Sequence, residues 1–66
     1  MKCYTSREIF SDVSKLVILL IQRGVREIVV ISNKEDIGKI ASLEIEDKVD
    51  IILIEAERDF KLCYKF

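Results

Sequence analysis

The chain has 66 residues, with 11 Lys and Arg against 12 Asp and Glu, two cysteines, no histidine and no proline. One domain spanning residues 1–66 is all this length allows, and such a chain buries only ~60% of the surface exposed when unfolded. A net charge of −1 excludes the strongly basic composition of a chromatin protein, and the missing histidine removes the usual general base and commonest metal ligand. The longest apolar run, Leu16 to Ile21, is far shorter than the ~20 residues of a membrane span. Lys2 and the polar residues after it do not make a secretory leader. A cytoplasmic chain with no membrane partner is the expectation. Half of the residues are hydrophobic, which suggests that a partner chain hides part of the apolar surface. The scarcity of Gln and Asn beside many Ile, Glu and Lys suits a thermophile.

Lys2 to Thr5 reads as a short first strand. Helix 1 is expected from Ser6 to Arg23, opened by the capping box Thr5-Ser6-Arg7-Glu8 and closed by Gly24 in the left-handed position. Ile9, Phe10, Val13, Leu16, Val17 and Leu20 give its apolar stripe, and Ile18, Leu19 and Ile21 widen that stripe almost around the helix. Strand 2 is Val25 to Ser32, and its unbroken run Ile28 to Ile31 reads as covered on both faces. A second box, Ser32-Asn33-Lys34-Glu35, opens helix 2 from about Lys34 to Leu43. That helix should bury Ile37, Ile40 and Ala41, with Gly38 marking close packing against a neighbour. Strand 3 is Val49 to Glu55. Strand 4 is Lys61 to Phe66, one face of it wet, joined to strand 3 as a hairpin through Ala56 to Phe60. The fold class is therefore α/β, a two-layer β-α-β-α-β-β sandwich with a mixed four-stranded sheet and two helices on one face. Right-handed crossovers join its parallel strands. The all-round apolar helix 1 and the two-sided strand 2 predict a dimer.

Cys3 and Cys63 are far apart in sequence and form no metal spacing. They meet only if the first and last strands bring them together, and two reduced, half-buried thiols are the expectation for a cytosolic chain. No metal site and no cofactor are expected. The acidic turn from Glu44 to Asp50 lacks the glycine and ligand spacing of a calcium loop and reads as solvated. Without histidine no triad forms, and there is no glycine-rich phosphate loop, so no enzyme is expected.

The phrase Gln22-Arg23-Gly24-Val25-Arg26-Glu27-Ile28-Val29-Val30, with Ile37, Lys39 and Ala41 beyond it, resembles the Alba family of archaeal DNA- and RNA-binding proteins. The match runs from Lys2 to about Leu43. It implies an Alba-like sandwich, similar also to the C-terminal domain of a translation initiation factor, and a dimer contacting DNA or RNA. Where that family carries a lysine pair this chain has Arg7, Glu8 and Ile9. Where the family has an Arg-Gly-Arg loop it has Asn33, Lys34 and Glu35, and the family's long hairpin arm is shortened to Glu57-Arg58-Asp59. A second resemblance, to the TusA-like sulfur carriers, rests on the same element order; that family's reactive cysteine opens helix 1, where this chain has Arg7, so the thiol would have to be Cys3 in the preceding strand.

Both helices follow parallel strands, so their N-termini open on one rim of the sheet, where free N–H groups and the helix dipole favour phosphates. Arg7, Lys34 and Lys39 lie near that rim, and Lys2 and Lys15 add charge. These five are the candidate nucleic-acid contacts, for weak and sequence-independent binding to the backbone. The competing reading takes them as ordinary solvated charges beside Glu8, Glu35 and Asp36, in an interaction module that has lost nucleic-acid contact. Such a module would form a homodimer or a heterodimer with a more basic homologue. Tyr4, Phe10, Phe60, Tyr64 and Phe66 are candidates for base stacking or for plain packing.

Overall fold

Gly24 adopts φ +92°, and around it Val25 N donates to Leu20 O and Gly24 N donates to Ile21 O, each at 3.1 Å. This is a Schellman closure, and it ends α1 (Val13–Gln22) where the glycine predicts. The other end of that helix differs from expectation. Thr5 to Glu8 do not open it: Arg7–Ile9 form a single 3-10 turn, Ser6 makes no capping bond, and Phe10 is extended. Asp12 is the cap, its Oδ1 accepting from Ser14 N at 3.0 Å and Lys15 N at 3.4 Å. Two capping patterns compete in this stretch, and the later one wins. Ile9 is left 63% exposed, outside the helix.

The computed structural model describes all 66 residues. The remaining elements are β1 (Lys2–Tyr4), β2 (Glu27–Ser32), α2 (Lys34–Ala41), β3 (Asp50–Glu55) and β4 (Lys61–Lys65). They form a two-layer α/β sandwich with a mixed four-stranded sheet, in the order β1-β4-β2-β3. β2 and β3 are parallel neighbours, while β4 runs antiparallel to both β1 and β2. The expected β3–β4 hairpin therefore does not form. The five residues from Ala56 to Phe60 carry the chain across the end of β2, a step of two strand spacings or ~10 Å that five residues span easily. In that central slot Leu62 is fully buried and Cys63 nearly so.

Val13, Val17 and Leu20 of α1 and Ile40 of α2 pack on Ile28 and Val30 of β2 and Leu62 of β4, with Val25 and Val49 closing the cluster. Burial along β2 alternates: Ile28, Val30 and Ser32 are buried, whereas Val29 and Ile31 are only half-buried. The β-branched run is thus covered on one face, not two. Helix 2 buries Ile40 but leaves Ala41 exposed, and nothing lies within 4 Å of a Cβ built on Gly38, so Gly38 marks no close neighbour. The expected box led by Ser32 does not form: Asn33 caps α2, its Oδ1 accepting from Asp36 N at 2.8 Å, while Ser32 Oγ bonds the Asp36 side chain. Tyr4, Phe10 and Phe60 make neighbouring ring contacts at 5.5 and 5.8 Å. Tyr64 extends the row from Tyr4 to Phe66.

The cysteines correct a further expectation. Cys3 and Cys63 are direct partners in the β1–β4 register, with Cα atoms 4.0 Å apart, and form a disulfide. No free thiol remains. Placing β4 beside β1 is what brings the two together, a non-local consequence of the strand order.

Candidate functional site

The rim at the C-terminal ends of β1 and β2 holds the most densely hydrogen-bonded side-chain cluster in the molecule. Ser32, the last residue of β2, points to the helix side and its Oγ donates to Asp36 Oδ2 at 2.6 Å. The 3-10 turn brings in Arg7, whose Nε donates to Asp36 Oδ2 at 2.7 Å and whose Nη2 donates to Oδ1 at 3.1 Å. Nη1 donates to Phe10 O at 2.6 Å. This is a two-pronged guanidinium–carboxylate pair on an aspartate whose side chain is only 7% exposed. Burial by itself pushes the Asp36 carboxyl up. The hydrogen bonds from Arg7 and Ser32 and the charges of Arg7 and Lys39 outweigh it and hold the group below the usual carboxylate range. The same pair raises the Arg7 pKa, chiefly through the hydrogen bond to Asp36. At the cap of α1, the Ser14 hydrogen bond is the main cause lowering the Asp12 carboxyl pKa, with help from Lys15 N–H and the charge on Lys39.

Of the five candidate contacts, Arg7 is thus committed to an internal partner. Lys34 opens α2 and Lys39 lies in its last turn. Lys15 is on the first turn of α1. Lys2, on the helix side of β1, sits 5.7 Å from the centre of the Tyr4 ring. These four lysines make no ion pair; the other salt bridges are Lys48–Glu46 and Lys65–Glu27. The cationic surface is interrupted, because Glu8, Asp12, Glu35 and Asp36 stand among the rim cations. The acidic turn gathers no group of three or more metal-ligating side chains. No helix is long and apolar enough to cross a membrane. A concavity of about 500 Å³ at the opposite pole is lined by Ile21, Gly24, Val25, Arg26, Lys48 and Val49.

Reading from the residues missed the other sheet face. The registers put Val29 and Ile31 of β2 beside Ile52 and Ile54 of β3 on the side without helices. Ile52 is 55% and Ile54 46% exposed. The Cys3–Cys63 bridge borders this block, Lys61 flanks one corner, and the Lys65–Glu27 pair and Asp50 flank another. The unbroken apolar run from Ile51 to Ile54 gave no sign of it: strand geometry puts Asp50, Ile52 and Ile54 on one face and Ile51 and Leu53 on the other, but does not say which face the helices cover.

What these features define is a class: a two-layer α/β sandwich with one sheet face covered by helices and the other apolar and bare. No family model matches the chain, and neither a curated protein nor a solved structure matches it.

Proposed function

We propose that this chain is a small interaction module that acts by binding a protein surface rather than by catalysis. The uncovered block of Val29, Ile31, Ile52 and Ile54 carries the reading. Monomeric soluble domains seldom expose contiguous apolar patches beyond a few hundred Å² without a use, and parallel strands such as β2 and β3 are normally covered on both faces. The polar groups at the rim favour this role too, since Arg7, Asp36 and Ser32 satisfy one another. A cytoplasmic location goes with it, and there the cross-strand disulfide fits the intracellular proteins of hyperthermophiles. Sedimentation at tens of micromolar tests the module. Self-association of the wild type supports it, and a wild type that stays monomeric refutes it.

A second reading is weak, sequence-independent contact to DNA or RNA, as the Alba-like resemblance implies. The observation favouring it is the set of unpaired lysines Lys2, Lys15, Lys34 and Lys39, with Lys2 over an aromatic row that ends on Phe66, 62% exposed. Mobility shifts with duplex DNA and with RNA at low salt, declining as salt rises, are its signature; no shift at low salt removes it. The sulfur-carrier alternative needs an exposed thiolate, and the Cys3 sulfur is bonded to Cys63.

A further inference from the structure

The two edges of the sheet are β1 and β3. β3 has a strand partner on one side only. Asp50 N donates to Arg26 O and Ala56 N to Ser32 O, both at 2.8 Å, which fixes the phase of the strand. Asp50, Ile52 and Ile54 direct their backbone groups at β2; Ile51, Leu53 and Glu55 direct theirs outward. Natural edge strands are normally blunted by shortness, charge, proline or a bulge. Asp-Ile-Ile-Leu-Ile-Glu is six residues long, has no proline, and confines its charges to its two ends, leaving four apolar residues between them. The opposite edge, β1, is three residues long, carries Lys2 and is bonded to its neighbour through Cys3.

Resting on the interaction-module reading, we infer that the partner is a second copy of this chain, joined antiparallel along β3 into an eight-stranded sheet. A two-fold axis perpendicular to the sheet keeps both helix layers on one side, so paired residues must point to the same face. Asp50 lies on the bare face and Glu55 on the helix face, so these two acids never stand opposite each other. One register uses every outward group. With Leu53 on the axis, Ile51 pairs with the partner's Glu55, and the three outward residues of each copy make about six backbone hydrogen bonds, two per hydrogen-bonded pair. Ile52 then faces the partner's Ile54 in the closely spaced, non-hydrogen-bonded position. The four isoleucines extend the apolar block across the axis. The neighbouring register, with Ile52 on the axis, leaves the Glu55 backbone groups outside the paired span of β3.

Oxidative cross-linking tests both the edge and its register. The native cysteines are already paired, and Cα atoms at the Ile52–Ile54 pair would lie about 4.5 Å apart, within disulfide reach. The double variant Ile52→Cys/Ile54→Cys should give a covalent dimer and each single variant none; no dimer from the double variant, or a dimer from Ile52→Cys alone, overturns the register. Glu55→Pro removes an outward N–H without touching the β2 ladder. Losing two of the edge bonds should weaken association about thirty-fold. If Val29→Lys abolishes association while Glu55→Pro leaves it intact, the copies pack face to face: the module stands and the edge pairing falls. If wild type stays monomeric at 100 micromolar, both fall.

Discussion

The two edges of this sheet are finished in opposite ways. β1 is short, carries a lysine and is covalently fastened to β4; β3 is twice as long, apolar and open. The difference shows how so small a domain divides its stabilisation. The N-terminal segment has too few backbone partners to hold itself and is secured by side-chain bonds, Cys3 to Cys63 and Arg7 to Asp36. The β2–β3 side is held by six register pairs and the helix layer, and it keeps surface for another chain.

Cutting the fastened edge is the largest perturbation. The disulfide closes a separation of 60 residues, for which chain entropy gives about 4 kcal/mol. Cys3→Ser, or reduction of the wild type, should lower the urea-unfolding free energy by that order. An unchanged midpoint would mean that the strand ladder alone secures β1. Next comes the ionic fastening. Arg7→Ala leaves a buried carboxylate without its cation and should cost about 2 kcal/mol in the same measurement, while Lys34→Ala, with no partner, should cost almost nothing.

The pH dependence follows with a definite sign. The Asp36 carboxyl is lowered from its ordinary 3.8 in the folded chain. Its contribution is complete above that value and declines as pH falls through the lower native pKa. Acid melts should show the wild type losing stability below about pH 4, and Asp36→Asn should flatten that loss.

The smallest effects contrast the two glycines. Gly24→Ala places a side chain at φ +92° and should destabilise by about 1 kcal/mol. Gly38→Ala meets nothing within 4 Å and should stabilise by up to about 1 kcal/mol. Thermal melts decide both signs.

The sequence carried the features that neighbouring residues determine. The Gly24 stop and a strand ending at Ser32 follow from local chemistry, although that strand begins at Glu27 and not Val25, and the sandwich class follows from the element order. The start of α1 was ambiguous because Thr5–Glu8 and Asp12 both satisfy a capping pattern, and the packing of Phe10 against Tyr4 and Phe60 favours the later one. Strand order was not legible: a five-residue connection permits either a hairpin or a step over β2, and burial of Leu62 goes with the step. The disulfide was hidden for the same reason. Arg7 looked like a free rim cation because Asp36 lies 29 positions away. A continuous β-branched run does not reveal whether one face or both are covered, so the bare face emerged only from the registers.

Amide hydrogen exchange along β3, at low and high protein concentration, tests the central claim most directly. Pairing at this edge predicts that Ile52 and Ile54 are protected at both concentrations, while Ile51, Leu53 and Glu55 exchange quickly when dilute and become protected when concentrated. If those three outward amides stay fast at every concentration, the edge is not an interface.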